Sequence, residues 1–381
     1  MTPASLYIHI PWCVRKCPYC DFNSHAVRDA LPETAYLAAL VADLEFALPL
    51  VKGRAITSIF FGGGTPSLFS PDGIARLLTD IADRLNLPPT AEITLEANPG
   101  TVETDKLIAF RAAGINRVSL GIQSFNNTHL FALGRIHDRD EALRAATLAA
   151  RHFERFNLDL MYGLPNQTLT DALADVETAL EIGAPHLSCY QLTLEPNTPF
   201  AAQPPTLPDD DLCADMGEAI ETRLTSAGFT HYETSAFARP DFQCEHNLNY
   251  WRFGDYLGIG AGAHSKLTVK DADGAIQTLR QMRWKSPDAY LRQTAAGNPI
   301  QEAHSVPAEQ RPFEFLMNAL RLSEGFSPAL FASRTRLPFS VLQAKLTNAA
   351  RDGLLDISDE RIAPTPQGRR FLNRLLERFL D

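Results

Sequence analysis

Residues 5–25 read SLYIHIPWCVRKCPYCDFNSH. Ser5–Ile10 is a short apolar and aromatic run that predicts a buried strand. Three cysteines, at positions 13, 17 and 20, follow this strand within eight residues, although an even spread of the six cysteines over 381 residues would put far fewer than one there. A strand followed by three clustered thiols predicts a metal centre on a loop.

Composition limits the class of protein around this cluster. The chain carries 35 basic and 45 acidic side chains, a net charge of −10, and is 45% hydrophobic, so we expect one large domain or two unequal ones. This charge gives no general electrostatic reason to bind nucleic acid or an anionic membrane. The most apolar run, Ala35–Val51, contains Asp43 and Glu45, and Met1–Pro11 has no basic leader. We therefore predict no transmembrane segment and a reducing, cytoplasmic location.

The first 200 residues alternate short β-branched or aromatic runs with longer amphipathic stretches. Several of the short runs are apolar on successive residues, which is typical of parallel strands covered on both faces. The sequence therefore predicts an α/β fold, a partial (β/α)6 TIM-like barrel rather than a doubly wound sheet, although periodicity does not separate the two. The predicted strands are Ser5–Ile10, Ala55–Phe61, Ala91–Ala97, Arg117–Gln123, Phe156–Tyr162 and His186–Leu194.

Polar residues follow or end five of these strands. In either architecture, ligands bind at the carboxyl ends of parallel strands. We therefore expect one site built from several strand ends. The residues concerned are the three cysteines, the run Gly62-Gly63-Gly64-Thr65-Pro66, Glu96 to Pro99, Gln123, and Asp159 within the fifth strand.

The pattern changes after residue 196, where a proline-rich loop leads to a predicted helix, Asp209–Ala227, and a strand, Tyr232–Phe237. We read residues 274–299 as a connector. From residue 307 the order of short helices, paired segments and a last helix resembles a small, mainly helical winged-helix module. Residues 300–381 carry a net charge of only +1, which favours packing or partner docking over DNA binding. The predicted domains are a barrel core (1–240), a linking segment (241–300) and a C-terminal domain (301–381).

The cysteine spacing distinguishes between metals. Structural zinc usually takes four protein ligands in two separated pairs, whereas this cluster offers three thiols, and His25 is only a distant fourth ligand. A 4Fe-4S cluster takes one thiolate per iron, so three cysteines leave one iron open to an exogenous ligand. Reduced core cysteines are the alternative, and we expect that role for Cys189, Cys213 and Cys244.

The glycine run after the second strand supports the interpretation of the three cysteines as a binding site. Three glycines let the backbone turn sharply and approach a ligand, and a helix from about Ser70 adds a favourable N-terminal dipole. Together with Cys-x3-Cys-x-Tyr-Cys, it resembles the radical S-adenosylmethionine superfamily. The resemblance implies a 4Fe-4S cluster on Cys13, Cys17 and Cys20. It also implies an S-adenosylmethionine site lined by Tyr7, Tyr19, Gly63, Gly64, Thr65, Glu96, Gln123, Arg135, Asp159, Thr193 and His264.

Within that superfamily the chain is most similar to the oxygen-independent coproporphyrinogen III oxidase group. The oxidases carry a further cysteine two residues past the third ligand, where this chain has Phe22, and an N-terminal extension that it lacks. Instead, the segment His246-Asn247-Leu248-Asn249-Tyr250-Trp251 resembles the signature of the HemW heme chaperones. A histidine beside aromatic side chains is a reasonable heme site, with Tyr250 and Trp251 as its walls and Cys244 as an alternative ligand to His246.

The resemblance implies a function without radical turnover and without a catalytic residue. We expect a protein that binds heme, a 4Fe-4S cluster and S-adenosylmethionine, and transfers heme to an apo-hemoprotein acceptor, for example of the respiratory type. A homodimer is compatible with this role. The alternatives are an oxygen-independent coproporphyrinogen III oxidase and, from another class, a zinc protein that binds nucleic acid.

Overall fold

The computed structural model describes residues 3–28, 30–101, 104–270 and 274–380. Its main element is a mixed, open sheet of twelve strands. The strands, in chain order, are β1 Ala4–Ile10, β2 Ile56–Gly63, β3 Glu92–Ala97, β4 Arg117–Gln123, β5 Arg155–Tyr162, β6 His186–Gln191, β7 Thr230–Glu233, β8 Ala236–Ala238, β9 Asp255–Ile259, β10 His264–Lys270, β11 Ile276–Arg283 and β12 Ile300–Val306.

The six predicted strands are confirmed, and they pair in parallel in the order β1 to β6. Both faces of β1 are buried: Leu6, Ile8 and Ile10 are fully buried on one face, and Ser5 and His9 are buried on the other. Burial on both faces is typical of the strands of a parallel sheet. The partial barrel is therefore confirmed, with a sheet that does not close on itself.

Helices cover the outer face of the barrel and form most of the C-terminal part. Most begin at a residue that caps them; Ser70, for example, accepts a hydrogen bond from the amide of Gly73. The helices are α1 Glu33–Val51, α2 Pro71–Arg84, α3 Thr104–Ala112, α4 Asn127–Ala132, α5 Arg139–His152, α6 Leu169–Ile182, α7 Pro199–Ala202, α8 Asp210–Ser226, α9 Glu245–Trp251, α10 Pro287–Ala295, α11 Arg311–Ala319, α12 Pro328–Thr335, α13 Gln343–Arg351, α14 Pro366–Arg370 and α15 Leu372–Glu377.

The sheet also extends past β1 on its other side. Strand β9 pairs in parallel with β1, and β10 to β12 continue from it as an antiparallel ladder. The segment 274–299, which we read as a connector, contains β11 and α10, two elements that the sequence analysis did not predict. Strand β11 is largely polar and only partly buried, so it lacks the apolar run by which the other strands were recognised. The predicted strand 232–237 is divided into β7 and β8.

The C-terminal part has its own apolar core, in which Phe315, Phe326 and Phe331 pack edge to face. Its order of helices, a two-stranded hairpin (β13 Leu355–Ile357 and β14 Ile362–Pro364) and terminal helices matches the predicted winged-helix-like pattern. The predicted last helix is divided into α14 and α15.

Helix α1 is, among the described residues, the one long and apolar enough to cross a membrane by length and composition. In the structure one side of it packs into the main core through Tyr36, Leu40 and Leu44. Core helices of water-soluble domains pass the same test, so this is weak evidence for a membrane span.

Candidate functional site

The cysteine loop lies at the carboxyl end of β1. A two-residue parallel ladder pairs Trp12–Cys13 with His25–Ala26, and this ladder closes the loop that carries the other two cysteines. The amide of Val27 donates to the carbonyl of Cys13 at 2.9 Å. All three thiols are half-buried, so they face the open end of the barrel while the backbone holds the loop in place.

Polar groups surround each thiol. Thr65 and Ser24 contact Cys13, Ser24 Oγ lies 3.9 Å from Cys20 Sγ, and Arg135 Nη1 donates to Cys17 Sγ at 3.5 Å. Burial raises the pKa of Cys13 and of Cys20. The loss of their protons therefore requires a compensating positive charge, such as bound iron.

The donor set fits an iron–sulfur cluster. In the described part of the chain, no three His, Cys, Asp or Glu side chains are grouped so as to hold a single metal ion. A 4Fe-4S cluster places each thiolate on a different iron, so its ligands need not converge on one atom. Three thiols on one loop, each with a polar neighbour, therefore match the ligand set of a cluster with one iron left without a protein ligand.

The glycine run anchors the cysteine loop to the barrel. The amides of Gly64 and Thr65 donate to the carbonyls of Ile10 and Trp12, both at 2.7 Å. A Cβ at residue 64 would lie 2.5 Å from the carbonyl oxygen of Trp12, and residue 63 has φ +110°, so both positions require glycine. The glycine run therefore brings its backbone next to the cysteine loop. A ligand bound at this loop would contact that backbone directly.

His9 is a site residue that sequence reasoning missed. Its side chain is buried, accepts from the Tyr7 hydroxyl at Nδ1 (3.0 Å), and donates from Nε2 to the carbonyl of Asn23 (2.9 Å). The ring fills the space beside Gly63 that a Cβ would need. Strand alternation is the sequence feature that could have predicted it, since His9 and Tyr7 are two residues apart and therefore lie on the same face of β1.

Two carboxyl groups lie inside the barrel. Glu96 Oε2 accepts from the amide of Gly63 at 3.2 Å, and Asp159 accepts from Asn157 Nδ2 (2.8 Å) and Ser119 Oγ (3.3 Å). Burial and then the nearby Asp159 raise the pKa of Glu96 to about 8. Glu96 is thus mostly protonated at neutral pH and can donate as well as accept a hydrogen bond.

Other predicted S-adenosylmethionine residues lie around the same opening. Gln123 ends β4 with φ +69°, and Arg135 Nη2 donates to the carbonyl of Gly121 at 2.8 Å, which places its other arm on Cys17. The aromatic ring of Tyr19 packs toward Phe200. The remaining members of this buried or half-buried group are Tyr7, Gly63, Gly64, Thr65, Glu96 and Asp159.

Two members of the predicted set lie outside that buried group. Thr193 is exposed just past β6, and its hydroxyl donates to Glu195 Oε1 at 2.7 Å. His264 is exposed at the start of β10. Their place in an S-adenosylmethionine site stays a prediction.

The predicted heme segment forms helix α9. His246 is 1% exposed, and hydrogen bonds occupy both of its ring nitrogens. Because Ser58 Oγ donates to Ser5 Oγ (2.8 Å), it must accept from His246 Nδ1 (3.0 Å), and the Tyr250 hydroxyl then donates to Nε2 (3.1 Å). Burial lowers the pKa of His246 to about 3, so the ring is neutral. In the structure the Tyr250 hydroxyl occupies the Nε2 lone pair, and the assignment of His246 as a heme ligand stays a prediction.

Trp251, at the end of α9, lies under the guanidinium of Arg321, 4.3 Å from the ring centroid. The alternative ligand, Cys244, is fully buried before α9 and donates to Glu92 Oε1 at 3.6 Å. Burial raises the pKa of Cys244 to about 12, so its thiol keeps its proton. Cys189, Cys213 and Cys244 are all buried, which confirms their predicted core positions.

A cavity of about 200 Å³ inside the barrel joins these two groups of residues. It contains side chains that sequence reasoning missed because each is a lone polar residue within a strand. The lining residues are Tyr7, Phe60, Glu96, Arg117, Ser119, Asn157, Asp159, His186, Ser188, Tyr190, His246, Asn247 and Tyr250.

Comparison with known families agrees with this arrangement. Residues 7–179 match the Radical SAM superfamily model, and residues 306–371 match the model of the HemN C-terminal domain. The radical S-adenosylmethionine resemblance is therefore confirmed.

Relatives of known name match over nearly the full length. The chain is 48% identical to the heme chaperone HemW of Escherichia coli strain K12 (100% of this chain, 99% of the relative) and 49% identical to that of Haemophilus influenzae (100% and 98%). Among solved structures, it superposes on the Escherichia coli coproporphyrinogen III oxidase HemN, described as a radical SAM enzyme, with a TM-score of 0.83 and 26% identity, over 99% of this chain and 90% of the other.

Proposed function

Because the chain belongs to the HemW family of the radical SAM superfamily, we propose that it is a heme chaperone, which binds heme and transfers it to an apo-hemoprotein. One observation carries this proposal: the buried His246 and Tyr250 line the same cavity as the residues of the radical SAM site. Heme held there would lie beside the barrel opening, from which it could pass to an acceptor.

We assign the cluster to Cys13, Cys17 and Cys20. When bound, the cluster supplies an iron without a protein thiolate, on which S-adenosylmethionine can bind through its amino and carboxylate groups. Residues of the chain would hold the two groups in place. Arg135 puts its positive charge next to the Cys17 thiolate, and the protonated Glu96 can donate a hydrogen bond to a ribose hydroxyl.

We assign the heme iron to His246 Nε2. The Ser58 hydroxyl fixes the ring as the tautomer whose Nε2 carries the lone pair, and only the Tyr250 hydroxyl competes for it among the contacts of this ring in the structure. Tyr250 then supplies flat apolar area beside the porphyrin, whereas Trp251 lies under Arg321 and does not line this cavity. A cytoplasmic location, a homodimer and an acceptor of the respiratory type stay predictions.

Titration of the purified protein with heme tests the assignment. We expect His246→Ala to abolish the Soret shift of the wild-type complex, because Ala supplies no axial nitrogen. The matched control is His304→Ala, since His304 is exposed on β12, away from the site, and its loss should leave the spectrum unchanged. An unaltered Soret band and affinity in His246→Ala would remove His246 from this role.

The second candidate function is oxygen-independent coproporphyrinogen III oxidation, which the close superposition on HemN favours. The same barrel, thiols and glycine run would serve it. Anaerobic incubation with coproporphyrinogen, dithionite and S-adenosylmethionine separates the two functions. We expect no product above a protein-free control, with the HemN oxidase as the positive control, and product formation at an enzymatic rate would overturn the chaperone proposal.

A further inference from the structure

Arg117 is a buried cation that the assignments above leave without a role. Its side chain is 3% exposed and lines the barrel cavity next to Ser119 and Asn157. Within the described residues its one ionic contact is to Glu92, where Nε lies 3.9 Å from Oε2, too far for a hydrogen bond. A guanidinium carries five N–H donors, and none of them has a hydrogen-bond acceptor among these residues.

Glu92 does not need Arg117, because its oxygens already have other donors. Oε2 accepts from Arg155 Nη2 at 3.2 Å, and Oε1 accepts from the amide of His246 at 3.3 Å and from the thiol of Cys244 at 3.6 Å. The other nearby carboxylate, Asp159, accepts from Asn157 and Ser119. The donors of Arg117 are therefore available to a molecule in the cavity.

A buried guanidinium without acceptors is costly, since removing charged N–H groups from water is not compensated. Its planar pair of parallel N–H groups matches a carboxylate, with two hydrogen bonds. The cavity adds hydrogen-bonding side chains from Ser188 and Asn247 at its wall. This chemistry selects a carboxylate over an apolar or cationic group.

We propose that Arg117 anchors a carboxylate of the bound tetrapyrrole, a heme propionate, inside the barrel. The inference rests on the proposed function. At about 200 Å³ the cavity is smaller than the pockets of roughly 300–1,000 Å³ that enclose whole small molecules, so heme would enter it only in part and with the Tyr250 side chain displaced from His246. Arg117 and His246 line the same cavity, so the iron ligand and the propionate anchor would face one bound heme.

The charge of the cavity permits an incoming carboxylate. Glu96 lines the cavity, but its raised pKa keeps it mostly protonated at pH 7, so it does not repel an anion. Asp159 also lines the cavity; burial raises its pKa, and its oxygens already accept from Asn157 and Ser119. Arg155 shares the charge of Glu92, so the N–H donors of Arg117 are left for the ligand.

The test compares heme with heme dimethyl ester, whose propionates are esterified. For the wild type we expect the Soret titration to show that heme binds at least about tenfold more tightly than the ester. A charge-assisted hydrogen bond contributes an affinity difference of this size. In Arg117→Gln this ratio should fall to near one through loss of heme affinity alone, and Arg117→Lys should keep part of it. The matched control is Arg84→Gln, at a surface arginine that pairs with Glu45 and Asp80 away from the cavity and should keep the wild-type ratio.

The outcomes are distinct. Wild-type binding of heme and ester with equal affinity, or an unchanged ratio in Arg117→Gln, overturns the anchor and leaves the chaperone function standing. Lack of heme binding by the wild type overturns both. Equilibrium dialysis of S-adenosylmethionine on cluster-loaded protein covers the other carboxylate source: a loss in Arg117→Gln with an unchanged heme ratio assigns Arg117 to the methionyl carboxylate and overturns the proposal.

Discussion

Glu96 shows how one residue of the site responds to its surroundings. It is a strand-end carboxyl that the sequence marked as a hydrogen-bond partner, and burial beside Asp159 raises its pKa to about 8. An unfolded glutamate has a pKa near 4.5. Between these two values the unfolded chain releases this proton while the folded chain keeps it, so the residue lowers stability progressively as the pH rises through that interval.

We therefore predict that Glu96→Gln flattens the pH dependence of stability. Relative to the wild type, the variant should gain stability between pH 5 and pH 8, by up to about 4 kcal/mol at the upper end, because an amide never ionises. Urea unfolding at both pH values measures this. Glu195→Gln, at a partly exposed residue past β6, is the control, and a parallel pH profile of Glu96→Gln and wild type would contradict the assignment.

His246 shows a limit of reasoning from a motif. The sequence indicated a histidine beside aromatic residues, and the structure adds that Ser58, 188 residues away along the chain, holds its Nδ1. Which nitrogen of the ring carries the proton follows from that contact. A ligand role can be suggested by sequence, but the tautomer depends on residues that only the fold brings together.

At the scale of elements, helix α1 and strand β11 are joined by a fully buried ion pair. Arg283 Nε donates to Asp43 at 3.0 Å, and both side chains have no exposed surface. Asp43 also accepts from the amide of Gly260 (3.1 Å) and the hydroxyl of Tyr290 (2.9 Å). The acidic residue that interrupts the apolar helix therefore connects it to the second half of the sheet.

Loss of one partner of this pair should be severe. We predict that Asp43→Ala costs about 3–5 kcal/mol of unfolding free energy, because it leaves the guanidinium of Arg283 buried and uncompensated. Glu45→Ala is the matched control, since Glu45 lies on the same helix, is half exposed and pairs with Arg84 at the surface, where the expected cost is below about 1 kcal/mol. Equal midpoints of chemical denaturation for the two variants would refute the prediction.

At the scale of the molecule, both apolar packing and ion pairs attach the C-terminal part to the barrel. Phe253 follows the heme segment, yet its ring lies in the C-terminal core against Phe315. The ion pairs of Arg369 with Glu221 and of Arg370 with Glu218 are partly or largely exposed and contribute little, whereas the pair of Arg321 with Glu233 has a buried carboxylate. The position of α9 is therefore linked to the packing of the C-terminal part.

We predict that Phe253→Ala destabilises the protein by about 3–5 kcal/mol, because it leaves a cavity where the two parts meet. It should also weaken heme binding, since α9 ends next to it, and expose the chain to cleavage between the barrel and the C-terminal part in limited proteolysis. Phe371→Ala, at a residue 45% exposed, is the control and should cost far less. A wild-type melting temperature and digestion pattern for Phe253→Ala would disprove this linkage.

Sequence reasoning predicted the six barrel strands because each is a short, mostly apolar segment that is buried on both faces of the sheet and lies between amphipathic helices. It missed β11 because this strand is largely polar and has no such run; its pairing with β10 and β12 is a property of the assembled sheet. The cysteine loop and glycine run were predicted as one site, since both follow neighbouring parallel strands. Their backbone contacts explain why glycine is required at residue 64.

The spacing of Cys13, Cys17 and Cys20, the six barrel strands and the resemblance to a family could all be read from the linear chain, because local patterns and short distances along the backbone determine them. The tertiary structure alone shows that the Arg117 side chain lines a cavity and has no hydrogen-bond acceptor among the described residues, that other donors already satisfy Glu92, and that His246 shares the cavity. Hydrogen-bond satisfaction and burial depend on which distant residues meet in space, and no spacing along the chain encodes them.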